Sequence, residues 1–170
     1  MNTKLLFYKK FEGKVTSPDY VNWAIHMLEK NMSTPSLTIL ASLNEPLNIF
    51  EVESYYSRAK KELQLQEPTK EECVLYYIYV LLRKIVYSDE DVLDVAYDVY
   101  KVVREHVIHE DFLTIDEVDE FFIWYDISEK IDDFRYGDNL TIFTRNYLTT
   151  LIVMEANKQL QNHLFDGIED

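Results

Sequence analysis

The chain has 170 residues and a formal net charge of −14, with 47% hydrophobic and 14% aromatic content, one cysteine, three glycines and four prolines. A chain of this length buries roughly 70% of its unfolded surface without needing a disulfide or a metal, and so few backbone breakers exclude a disordered or low-complexity protein. A single cysteine excludes a disulfide framework and a thiolate cluster, glycines at 13, 137 and 167 cannot build a phosphate-cradling loop, and the negative balance disfavours nucleic acid.

The expected class is all-α, a single irregular bundle of about seven helices over residues 1–170, with stacked helical hairpins as the variant arrangement. The opening MNTKLLFYKKFEGK carries an apolar run from Leu5 to Tyr8, too short for a secretory signal. The run Val74 to Leu82 ends at Arg83 and Lys84, well short of a membrane span. With reduced thiol usage as well, these features predict a cytoplasmic protein with no membrane partner.

Ser17, Pro18 and Asp19 supply a cap, a first-turn proline and an early acid, and the spacing of Tyr20, Trp23, Ala24, Met27 and Leu28 predicts a helix to about Asn31. Thr34 and Pro35 repeat that start for a short helix to about Leu43. Asn48 with Glu51 opens a third helix, which ends before Pro68. Thr69 with Glu72 is a capping box for a run of about 18 residues rich in Tyr, Val and Leu, predicted to be the most buried helix. Cys73 lies at its start and reads as a small core residue with a raised pKa.

From Asp89 to Asp138 the chain concentrates 17 of its 31 acidic residues against four basic ones. Ser88 with Asp91 predicts a helix with Val92, Val95, Ala96, Val99, Val102, Val103 and Val107 inward, and Asp91, Asp94, Asp98, Lys101 and Glu105 outward. Thr114 with Glu117 predicts a sixth helix that turns Ile115, Val118, Phe121, Phe122 and Tyr125 inward and the acids outward. The segment DDFRYGDN, with Gly137, reads as a loop, and a final helix is expected from about Thr141 to Leu164.

No catalytic motif is present. His106 and His109 share a helix face at a spacing of three, so a metal-dependent enzyme built on them is one alternative reading and a helical scaffold another. The pattern is neither H-E-x-x-H nor H-x-x-E-H, which leaves no cofactor or metal expected. The favoured site is an acidic, aromatic face made by Asp116, Asp119, Glu120, Trp124, Asp126, Asp132 and Asp133, in which Trp124 falls off the inward stripe and is expected to be part-exposed. Carboxylates steer and orient a basic protein partner, and an exposed tryptophan supplies anchoring area.

The stretch DYVNWAIHMLEKNMSTPSLTILASLNEPLNIFEVESYYSRAKKEL, with its Trp-Ala pair and following Ser-Leu and Ile-Leu-Ala segment, resembles the opening of small uncharacterised bacterial all-helical proteins, some of which are similar to immunity proteins of polymorphic toxin systems. The resemblance covers about a quarter of the chain and implies a shared fold. It further implies a non-enzymatic cytoplasmic protein that binds and neutralises a toxin, often a basic nuclease, and it assigns no binding residue.

Overall fold

A computed structural model of the chain describes residues 1–108, 115–137 and 143–168, and only the backbone of residues 115–117. The all-α expectation holds: among the described residues there is no strand, and the helices are α1 (Thr3–Phe11), α2 (Ser17–Glu29), α3 (Pro35–Ser42), α4 (Ile49–Glu62), α5 (Lys70–Tyr87), α6 (Val92–Val102), α7 (Ile115–Phe121), α8 (Ile123–Tyr136) and α9 (Arg145–Gln159). A π-helical turn, Val103–Val107, extends α6, and a short 3-10 turn, His163–Phe165, follows α9. The chain gathers into two compact units, residues 1–73 and residues 74–169, divided within α5.

The first unit is built on aromatic side chains from α2 and α4. Trp23 and Tyr56 meet edge to face with centroids 5.0 Å apart, and Tyr20 stacks obliquely on Tyr56 at 4.8 Å. Leu6, Ala24, Met27, Leu37, Leu40, Val52 and Ala59 fill the space around them. Polar links set the angles between helices. The Trp23 indole donates to Thr3 Oγ1 at 3.0 Å, and the Glu62 carboxylate accepts from the Ser36 backbone N–H at 3.0 Å and the Ser36 hydroxyl at 2.6 Å. The end of α4 thereby supplies an anion to the start of α3, where N–H groups lack a partner within the helix and the dipole favours negative charge.

In the second unit α6, α8 and α9 pack against one another. Leu93, Ala96 and Val99 of α6, Trp124, Ile127 and Ile131 of α8, and Leu148, Ile152 and Ala156 of α9 are all buried. These recur at spacings of three and four, the signature of one buried face per helix. Ile78, Leu82 and Ile85 of α5 are buried as well, and Tyr79 and Phe121 both contact Phe165.

Several helix starts and ends differ from the sequence-based expectations. Helix α1 carries no clear amphipathic period and no start signal beyond Asn2, whose side chain accepts from the Lys4 N–H at 2.8 Å. The cap of α2 is Thr16 and not Ser17, because Asp19 reaches back to the Thr16 N–H and hydroxyl, each at 2.9 Å. The cap of α6 is Asp91 and not Ser88: its carboxylate accepts from the Leu93 N–H at 2.9 Å. The predicted sixth helix is broken at Phe122 into α7 and α8, which turns Phe122 outward with 46% of its surface exposed and leaves Tyr125 half-buried. The predicted loop DDFRY is the last turn and a half of α8, ending at Gly137. Thr144 caps α9, accepting from the Tyr147 N–H at 3.2 Å, whereas Thr114 and Thr141 lie outside the described residues.

Candidate protein-binding face

Charge divides along with the fold. Residues 1–73 carry ten acids and nine bases, for a net of −1, while residues 74–170 carry 21 acids and eight bases, for a net of −13. Any field with long reach therefore belongs to the second unit.

Helix α6 brings Asp91, Asp94, Asp98 and, one π-turn on, Glu105 to its exposed side; α8 exposes Asp126, Glu129 and Asp133. Part of this charge is answered internally. Asp94 pairs with Arg135 across α6 and α8, Asp91 with Arg145 of α9 at 2.5 Å, Asp98 with Lys101 at 2.9 Å and Asp126 with Lys130. The Arg145 hydrogen bond, acting with the Leu93 N–H and against a small burial effect, holds the Asp91 carboxyl below the usual range. Such exposed pairs contribute little stability each, but they fix where carboxylates point.

Of the residues singled out from sequence, Asp119, Glu120, Asp126 and Asp133 are exposed and Asp132 is half-buried. The side chain of Asp116 lies outside the described residues, as does His109. The Glu120 carboxylate accepts from the Asn162 amide, and its backbone carbonyl accepts from Gln159 Nε2 at 2.9 Å. Trp124 corrects the expectation outright: its exposure is 0%. Its indole N–H donates to Gln159 Oε1 at 2.9 Å, itself a buried side chain. The break at Phe122 is the physical reason, since it starts α8, on which Trp124, Ile127 and Ile131 form the inward stripe, with Phe121 buried at the end of α7. His106 is buried within the π-helical turn at 7% exposure.

The aromatic part of the face is a different set of rings. Tyr97 and Tyr100 of α6 lie 5.5 Å apart, Tyr100 meets Tyr125 of α8 edge to face at 4.9 Å, and Phe122 lies 6.0 Å from Tyr125. This ladder of four rings runs along the seam between α6 and α8. Further along α8, Glu129, Asp132 and the highly exposed Tyr136 continue the stripe of Tyr125 at helical spacing. Burial, then the neighbouring Tyr100, pushes the Tyr125 phenol up, so its hydroxyl stays neutral at ordinary pH. The sequence signal for the ladder is the spacing of Tyr97, Tyr100 and Arg104 on the flank of α6, between its apolar and acidic faces.

The first unit holds an open cleft of about 380 Å³ between the start of α1, the end of α2 and the link into α5. Its wall sets Lys4, His26 and Lys30 against Glu67 and Glu72, a balanced set that favours no one ligand charge. Burial, then nearby positive charge that includes Lys30, pushes the His26 imidazole down, so it is neutral at pH 7. Cys73 is fully buried and its thiol is pushed up to about 12, first by burial and then by Glu72, which removes it as a nucleophile.

Among the described residues, no helix is long and apolar enough to cross a membrane. No family model matches this chain, and no curated protein or solved structure matches it either.

Proposed function

We propose that the chain is a non-enzymatic binding protein that captures a basic protein partner on the acidic α6–α8 face, in the manner of an immunity protein that neutralises a cationic toxin. The observation that supports this reading most strongly is the charge partition: a net of −13 is confined to residues 74–170, and the carboxylates of α6 and α8 that carry part of it flank a seam of partly exposed aromatic rings. A compact acidic field of this kind accelerates encounter with a cationic surface and orients it, while rings supply contact area at small entropic cost.

The test is calorimetric titration with a basic toxin domain of the kind that immunity proteins neutralise, paired with co-expression of the two. Affinity is expected to fall at least tenfold between about 50 mM and about 300 mM salt, as screening of exposed charge requires. Replacing Asp119, Asp126 and Glu129 together by their amides is expected to weaken binding further and to abolish any protection of growth. Association that ignores both salt and these substitutions would count against the proposal.

A further inference from the structure

The tyrosine ladder already holds cations of its own. Lys101 Nζ sits 5.2 Å from the centroid of Tyr97, and the Arg104 guanidinium sits 5.4 Å from that of Tyr100, with Nη1 donating to the Tyr100 hydroxyl at a long 3.4 Å. Arg104 is the more loosely held of the two, since Lys101 also pairs with Asp98 at 2.9 Å. The Arg104 side chain is 45% exposed and reaches its nearest carboxylate, Glu105, only at 3.5 Å. A ring face with a loosely held guanidinium, beside exposed carboxylates, is already shaped for a second guanidinium.

We propose that this ladder is the anchoring surface of the acidic face, and that it takes an arginine-rich segment of the partner by exchange, a partner guanidinium replacing Arg104 over Tyr100. The inference rests on the acidic-face reading above and names what that face recognises. Arginine is favoured over lysine because its planar, weakly hydrated cation stacks on an aromatic face while its N–H fork still reaches carboxylates. Here the carboxylates are Glu105, left unpaired as Arg104 withdraws, and Glu129, one turn along α8 from Tyr125. Phe122, exposed at the end of the ladder where the helix breaks, adds an apolar edge for the arginine stem. Charge complementarity supplies the attraction, and the rings supply the choice between the two cations.

Fluorescent octa-arginine and octa-lysine peptides, titrated into the intact chain and followed by anisotropy, test this. The expected result is a preference for octa-arginine of at least about threefold, in line with an exposed cation–π contact. Tyr100→Leu and Phe122→Leu are expected to erase that preference while leaving octa-lysine affinity unchanged, and Tyr100→Phe, which keeps the ring, is expected to retain it. Arg104→Ala is expected to tighten octa-arginine more than Lys158→Ala, which removes the same charge from an exposed site on α9. Equal effects from those two variants, or equal affinity for both peptides, would overturn the ladder proposal and leave the acidic-face reading standing. Failure of both peptides to bind at low salt would overturn both, provided that circular dichroism shows the variants folded.

Discussion

At the scale of single residues, stability in the first unit depends on a few polar atoms placed among apolar ones. Burial alone would push the Asp19 carboxyl up, but the hydrogen bond from Lys9 at 2.6 Å, with those from the Thr16 N–H and hydroxyl, outweighs it and holds the group below the usual range. A depressed folded-state pKa means that the stabilisation is present above the unfolded value of about 3.9 and is lost as pH falls through the lower, folded one. Asp19→Asn is therefore expected to lower stability by about 1–2 kcal/mol at neutral pH. The difference from the parent is expected to shrink in acid melts as pH falls below the unfolded value of about 3.9 and on through the lower, folded one. Tyr56 presents the opposite case. Its hydroxyl is buried without a hydrogen-bond partner among the described residues, and burial pushes its pKa up. Leaving such a group unpaired costs about 1–3 kcal/mol, so Tyr56→Phe is expected to raise the urea midpoint, against the usual direction of core substitutions.

At the scale of elements, most helices can be read from local chemistry, and the exceptions have identifiable causes. Thr34, Asn48 and the Thr69–Glu72 pair cap as their spacing predicts, because an oxygen two or three residues before a free N–H has little choice of partner. Helix α1 escapes detection because its buried residues Leu6, Phe7 and Tyr8 are consecutive and give no period. The break at Phe122 escapes it too, since no glycine or proline marks it: it falls inside the run from Phe121 to Trp124. That break decides the site: an unbroken helix would leave Trp124 off the inward stripe and turn Phe122 inward, and the real one does the reverse. Exposed acids on α6 and Asp126 on α8 were legible from periodicity alone, whereas Asp133 fell in the expected loop and the ladder requires knowing that the Tyr100 flank of α6 faces the start of α8. The same arrangement makes Gln159 the joint between α8 and α9, accepting from Trp124 and donating to the Glu120 carbonyl and, at 3.2 Å, to the Glu155 carboxylate. Gln159→Leu leaves a buried indole N–H unpaired and is expected to cost about 2 kcal/mol in thermal or chemical unfolding. Trp124→Phe is expected to cost less when introduced on top of it than alone, as non-additivity within one network requires.

At the scale of the whole chain, one unit is nearly neutral and the other strongly acidic, so a single protein combines a part free to be packed for stability with a part whose charge repels itself. Ion pairs such as Asp94 with Arg135 moderate that repulsion without cancelling it, which leaves a surplus available to an outside cation. Cys73 adds a practical possibility. It is the chain's one thiol, wholly enclosed in the first turn of α5, and so chemically silent while that turn is intact. Its silence makes it a built-in clock for local opening, readable with no engineered probe. With a small aromatic disulfide reagent in excess, native protein is expected to react at least about a thousandfold more slowly than protein in denaturant, the ratio reporting the free energy of exposing that turn. The same measurement repeated with a bound partner would show whether capture on the acidic face is felt at the start of α5, with the chain's own sulfur as the only label.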